Sequence, residues 1–376
     1  MQALLAKTGN MFCSRLHLVV ASELMDLVNS TALAPFGKRW KSHQKFIHVT
    51  FSLSSIRKYD RVLEDVAFQF NEALSRTSED FVNHSQLTVG HIIMNTTYGI
   101  SVDSPNDQYI FKAKEAMTMV SCATVLGAFL VDLVPSFKYL PTWTPFTSFH
   151  HIGHHGRSLV AKLVETLFQY VKCEIAQNVF EHNVKWVCAS MYAAGQEVIS
   201  SSILNMIMAM AKYSEKMKIA QAELDEVLST DCHPTIADRK NLLYVHAIIK
   251  ETLCWHPPLP MDIAQCSLED MQYNKYFISK GTIVIPNIWN IAHQADEVFP
   301  PDMFASEQFL QPNPTQDPSE YCFGFRCRVC PGKYLAENSV FLITALVLSA
   351  FDISPAVAPD GTKIPISVQY SSGLVR

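Results

Sequence analysis

Phe323-Gly324-Phe325-Arg326-Cys327-Arg328-Val329-Cys330-Pro331-Gly332 is the stretch on which the reading of this chain turns. It is an irregular, glycine-bounded loop, followed by an apolar run from Tyr334 to Phe351 that predicts a helix. Pro331 suits a first helical position, where its missing N–H costs nothing. Cys330 therefore meets a helix N-terminus, whose dipole and free amides favour thiolate over thiol. Arg328 before it and Lys333 after it make the local field positive. A thiolate held in this way is a soft, electron-rich metal ligand, and haem iron is among the partners such ligands take.

Two other readings of the cysteines stand beside this one. A single Cys at the start of an apolar helix also serves as a small buried hydrophobe. Alternatively, Cys322, Cys327 and Cys330 have the spacing of three ligands of a plant-type iron–sulfur centre. That arrangement needs a further cysteine downstream, and Cys330 is the last in the chain.

The 376 residues are 48% hydrophobic and 17% charged, enough to bury a large core. A net charge of −5 lacks the basic excess of a nucleic-acid binder. Ten cysteines at no framework spacing read as reduced thiols in a cytosol-facing protein. The longest apolar run, Met117 to Val131, carries Ser121 and Thr124, ends at Asp132 and is too short to span a bilayer.

The cysteine stretch resembles the haem-binding loop of the cytochrome P-450 family, the haem-thiolate monooxygenases. Phe323, Arg328, Cys330 and Gly332 match that loop, while Arg326 stands where the family has glycine and Cys327 where it has arginine. Further matches follow from about Gly37 to the end of the chain, in the family's order. Trp40 and Gln44, one helical turn apart, resemble the family's Trp and Arg that face a haem propionate, with the arginine replaced. Met117 to Val134 resembles the helix that roofs the substrate pocket, ended by Pro135.

Within a central helix expected over Trp186 to Tyr213, Ala194, Gly195 and Glu197 resemble the oxygen-activating segment, and Val198 replaces its threonine. Ser200 and Ser201, three and four residues after Glu197, are candidates for the missing hydroxyl. Glu251 resembles the acid of the Glu-x-x-Arg helix, with Cys254 and Gln308 in place of the two arginines that lock to it. Tyr273 to Asn287 alternates as a small sheet with a turn at Gly281, preceded by Gln265-Cys266 where the family has His-Arg. Gly361 to Val375 reads as a terminal hairpin.

Three segments add expectations of their own. Leu16 to Val28 reads as an apolar helical run, and Arg57 to Tyr98 as long amphipathic helices. His150, His151, His154 and His155 invite a zinc site, but Gly153 and Gly156 interrupt a helix there and the family has a mobile surface loop.

The resemblance thus implies a mainly α protein with small β-sheets, one partial haem-thiolate monooxygenase domain over residues 1–376. It resembles the fungal microsomal type, with the N-terminal anchor region lacking. It implies haem b held by Cys330 as the metal ligand, with Arg328, Trp40, Phe323 and Gly332 as cofactor-binding residues and Glu197 and Ser200 as catalytic residues. It further implies a lipophilic substrate, O2, an NADPH-dependent flavoprotein reductase, peripheral membrane contact and a place on the cytosolic face of the endoplasmic reticulum. Lys38, Arg39, Lys41, Lys45 and Lys333 are the expected docking face for an acidic partner. The missing arginines and glycine, each explicable by one C-to-T change, keep a second reading open: a decayed copy without turnover.

Overall fold

In the computed structural model of the protein, residues 5, 9–100, 108–172, 181–228, 232–294, 298–367 and 373–375 are described. Twelve helices can be followed among them: α1 (Lys38–Phe51), α2 (Leu53–Ile56), α3 (Asp60–Arg76), α4 (Phe81–Tyr98), α5 (Gln108–Thr124), α6 (Leu130–Leu133), α7 (Ser148–Lys172), α8 (Glu181–Lys212), α9 (Ser214–Val227), α10 (Leu243–Trp255), α11 (Ile288–Ala292) and α12 (Lys333–Ala350). The protein is mainly helical, as the pattern predicts.

The centre is α12, whose side chains from Asn338 to Leu348 are all buried. A helix apolar on every side has no solvent face to offer, so it must run through the core. By length and hydropathy it resembles a membrane span, yet 67% of that window is buried inside the protein. Around it pack α3, α8, α9 and α10. The 32-residue α8 is about 48 Å long and lies against α4 along much of its length. Its continuous apolar face and that of α12 leave the space in which the site is built.

The β-structure is small. Strands β1 (Ser14–Arg15), β2 (Gln265–Cys266) and β5 (Ile283–Val284) form an antiparallel sheet in the order β1-β2-β5, with Arg15 opposite Gln265. Strands β3 (Met271–Tyr273) and β4 (Tyr276–Ile278) form a hairpin that turns at Asn274, left-handed at φ 53°, rather than at Gly281. Asparagine tolerates that conformation, so the tighter turn falls there. Gly281 turns the chain between β4 and β5. Within the expected terminal hairpin, Lys363 pairs instead with Val357, before the expected stretch, and residues 368–372 lie outside the described residues.

Three helical expectations are corrected. Leu16 to Val28 is not one helix but a wide turn over Val19–Leu24 and a short 3-10 turn over Leu27–Asn29, since its apolar side chains face several neighbours at once. The roof helix ends at Thr124, and none of Met117 to Val134 lines the central cavity. The histidine segment is no loop: α7 runs unbroken through Gly153 and Gly156. The glycines serve contact instead. A Cβ on Gly153 would lie 2.5 Å from Leu24 Cβ, and one on Gly156 2.3 Å from the Met25 methyl.

Gly153→Ala is therefore expected to destabilise by about 1–2 kcal/mol in thermal unfolding, overpacking outweighing the gain in helix propensity. Gly156→Ala should cost less, because Met25 ends in a flexible thioether that can swing aside. Equal losses at the two positions would contradict this packing.

Candidate functional site

A cavity of about 430 Å³ opens between α8 and the cysteine stretch. One wall is the loop itself: Phe323, Gly324, Val329, Cys330, Pro331 and Gly332. Facing it are Met191, Ala194, Gly195, Val198 and Ser202 of α8. Such spacing puts them on one stripe of the helix. Arg15, Thr31, Trp40, Gln44, Asp262 and Arg328 close one end. The volume lies within the range of small-molecule and cofactor pockets.

The loop wall is made by a 3-10 turn, Arg326–Arg328, and by the Cys330 amide donating to Phe323 O at 2.7 Å. Gly324 is left-handed at φ 78°, and a Cβ there would sit 2.9 Å from Arg328 O. Arg326 adopts φ 48°, the left-handed conformation for which the resemblance implies glycine, at a cost of about 1–2 kcal/mol. It keeps the backbone course and is exposed, outside the cavity lining.

Cys330 is a cavity-wall residue whose thiol is pushed up to about 11. Burial is the main cause and outweighs the Gly332 amide that donates to the sulfur. The expectation of a ready thiolate is thus corrected. α12 begins at Lys333 with Gly332 as its N-cap, so the sulfur precedes the helix, and the Lys333 ammonium is drawn to Ser319 O at 2.9 Å. A bound cation at the sulfur would reverse that balance, because a coordinating thiol loses its proton outright.

The expectation that the cysteines are all reduced is also corrected: Cys13 and Cys327 form a disulfide with Cα atoms 6.2 Å apart. Cys322 Sγ lies 3.7 Å from Leu253 O. With Cys327 bonded to Cys13, the three-cysteine iron–sulfur set does not exist. Among the described residues no group of three or more His, Cys, Asp or Glu is arranged to hold a metal ion by itself.

At the polar end Arg328 donates to Cys13 O at 2.7 Å and Ala34 O at 2.9 Å, and its guanidinium lies 4.6 Å from the Trp40 ring centroid. Burial and the neighbouring Arg15 push it down to about 9. Arg15 donates to Ala32 O at 3.0 Å and Ile263 O at 2.5 Å. The one carboxylate beside them, Asp262, is pushed up by burial towards its neutral form. Trp40 Nε1 is buried at this end without a hydrogen-bond partner.

Two guanidinium groups and a spare N–H surround space that suits an anionic edge, and a sulfur in the wall suits a metal. These residues fit a haem. Arg15 was not legible as a site residue; its signal was register, since β1 sets it opposite Gln265, beside the position where the family's cation is missing.

On α8, Ala194, Gly195 and Val198 lie on the cavity stripe as the spacing implies, and Glu197 and Ser200 do not line it. Ser200 Oγ is buried without a partner, whereas Ser202, which sequence reasoning passed over, is on the wall and donates to Val198 O at 2.9 Å. Burial pushes Glu197 up to about 7. A Cβ on Gly195 would stand 2.8 Å from Ile93 Cδ1, so the glycine lets α4 approach.

Behind the loop, Gln308 Nε2 donates to Glu251 Oε2 at 2.5 Å, a neutral partner where the family has an arginine. Burial pushes Glu251 up to about 7. The folded protein thus holds a proton that the unfolded chain releases above about pH 4.5, so this group's contribution to stability falls as pH rises from there through about 7. Glu251→Gln is expected to gain about 3 kcal/mol at pH 8 and almost nothing at pH 4, read from unfolding midpoints. Parallel pH profiles for the two proteins would show that Glu251 is ionised in the fold.

A family model described as Cytochrome P450 matches residues 154–371. The cytochrome P450 monooxygenase COX2 of Coprinopsis cinerea is 33% identical, over 96% of this chain and 74% of its own length. Cytochrome P450 monooxygenase claR of Ampulloclitocybe clavipes is 31% identical, over 99% of this chain and 73% of its own. Among solved structures, a zebrafish cytochrome P450 with progesterone superposes with a TM-score of 0.78 at 22% identity, covering 100% of this chain and 88% of the other.

Proposed function

The chain belongs to the cytochrome P450 family, an oxidoreductase family of haem-thiolate monooxygenases, and from that premise we propose that it holds haem b in the central cavity and oxidises a lipophilic small molecule. The observation that carries the proposal is Cys330 in the wall opposite the Ala194–Gly195 stripe, with Arg15, Arg328 and Trp40 gathered at one end. When bound, the haem supplies activation of O2 and transfer of one oxygen atom to the substrate.

The rest is the work of this chain. Cys330 ligates the metal through sulfur, and Phe323 and Gly332 shape the wall beside it. Arg328 and Trp40 Nε1, helped by Arg15, take the carboxylate edge. Val198, Ala194 and Gly195 offer substrate a dry, apolar surface. Glu197, near neutral in its proton affinity, holds a proton close to α8 and passes it inward through water or a hydroxyl. Of the hydroxyls, Ser202 is on the cavity wall, whereas Ser200, two residues earlier in α8, points to the other side of the helix.

Electrons come from an NADPH-dependent flavoprotein. The exposed Lys38, Arg39, Lys41 and Lys45 of α1 supply positive charge for that contact. Trp143, 83% exposed, and Phe146, 89% exposed, lie with Leu130, Leu133 and Tyr139 in one solvent-facing stretch of sequence, which supports peripheral contact with a membrane such as the endoplasmic reticulum.

The test is an absorption spectrum of the reduced protein with and without carbon monoxide. A red-shifted thiolate-type band is expected. A colourless protein would favour the second reading, a copy without turnover, which draws on the neutral residues at Gln44, Cys266 and Gln308 and on Val198 in place of a hydroxyl.

A further inference from the structure

The Cys13–Cys327 disulfide joins positions 314 residues apart and lands beside both buried guanidinium groups of the cavity. Cys13 leads into β1, which carries Arg15, and its carbonyl accepts from Arg328 Nε. Cys327 lies within the 3-10 turn, directly before Arg328 and three residues before Cys330. The cross-link therefore ties the strand bearing one cation to the loop bearing the other. Those cations repel each other in poorly solvated surroundings, and Asp262 is the acidic residue that interacts with Arg15 there. Cys13 is 2% exposed and Cys327 is half-buried, so Cys327 is the half of the bond nearer to solvent.

We propose that this disulfide is a redox-controlled latch on the cysteine loop, opened by exchange with a dithiol. Only its effect on cofactor retention rests on the haem reading above. In the exchange, a thiolate of the dithiol attacks Cys327 Sγ; the bond to Cys13 breaks, and Cys13 leaves as a thiolate that takes a proton. The second thiol of the reagent then displaces Cys327, which is also protonated. The reagent departs as a cyclic disulfide, having given up two electrons. In the reduced form the loop keeps its hydrogen bonds and the packing of Phe325 but loses its covalent tie to β1, opens more often, and lets the two cations move apart.

The full-length chain tests this in three readings. Purified without reductant and alkylated after denaturation, it should keep two of its ten cysteines unmodified until dithiothreitol is added; modification of all ten would overturn the latch. Amide hydrogen exchange of the cofactor-free protein should rise at least tenfold in the segment from Phe323 to Gly332 on reduction, while α12 is unchanged. Cys13→Ala should show the same raised exchange and no response to dithiothreitol, and the reduced natural protein provides the same comparison if that variant folds poorly. Unchanged exchange on reduction would sink the proposal whether or not haem binds.

Last, haem should pass to apomyoglobin at least tenfold faster from the reduced protein than from the oxidised one. Equal rates would refute control of the cofactor. A chain that takes up no haem at all would refute the haem reading, and the exchange result would then decide the latch by itself.

Discussion

Cys330→Ala is expected to abolish haem uptake, with the absorption of the titrated protein reduced to that of free haem and no carbon monoxide band. Alanine removes the thiol in the loop wall facing α8; of the other sulfurs in the lining, Cys322 Sγ contacts Leu253 O at 3.7 Å and the Met191 thioether is an uncharged, weaker donor. The fold should survive, because the Cys330 amide bond to Phe323 O belongs to the backbone and the lost side chain is small. Thermal stability of the cofactor-free protein should therefore shift by less than about 1 kcal/mol. Stoichiometric haem with a red-shifted band in the variant would end the assignment of Cys330 as ligand.

A second large effect is expected at Arg328. Its guanidinium is shared between Cys13 O, Ala34 O and the Trp40 ring, so Arg328→Ala strands two buried carbonyls and takes away half of the cationic pair. Hydrogen bonds to charged groups contribute about 1.5–3 kcal/mol each, which places the loss of stability at roughly 3 kcal/mol or more. Haem affinity should fall by about two orders of magnitude, and Arg328→Lys should recover only part of it, since an ammonium cannot span two acceptors as a planar fork does. Unfolding midpoints and a haem titration read the two effects separately. Affinity unchanged in the alanine variant would mean that Arg15 and Trp40 suffice at this end.

Much of the helical framework was legible because it rests on periodicity. α3, α4, α8 and α12 fall within about five residues of the stretches expected to be helical. Where the pattern misled, apolar residues were serving several neighbours rather than one face, as between Leu16 and Val28, or glycines were serving contact rather than termination, as in α7. The site was legible in its local parts. The loop sequence marked Cys330, and the resemblance to the oxygen-activating segment marked Ala194 and Gly195.

Its non-local parts were not. Arg15 acquires its place through strand register across some 250 residues of chain, and Cys13 meets Cys327 across 314. No local rule carries such information. The position of Arg326 is instructive in another way. Arg326 stands where the loop pattern has glycine, yet the backbone keeps its left-handed turn and the side chain is exposed. The departure therefore weighs on stability more than on shape.

The thioether of Met191 has a bearing on how the site fills. A Cβ on Gly332 would come within 3.3 Å of its methyl, so this unbranched side chain reaches across from α8 to the edge of the loop. A flat ring seated between helix and sulfur has to turn that arm away. Methionine has several soft torsions and no branching at Cβ, so the swing is a rotamer hop on the order of nanoseconds, or somewhat slower in a packed interior, rather than a backbone rearrangement. A flat group entering beside the sulfur would therefore displace Met191 by rotation of its side chain, and a stiff β-branched residue at position 191 would make that displacement slower.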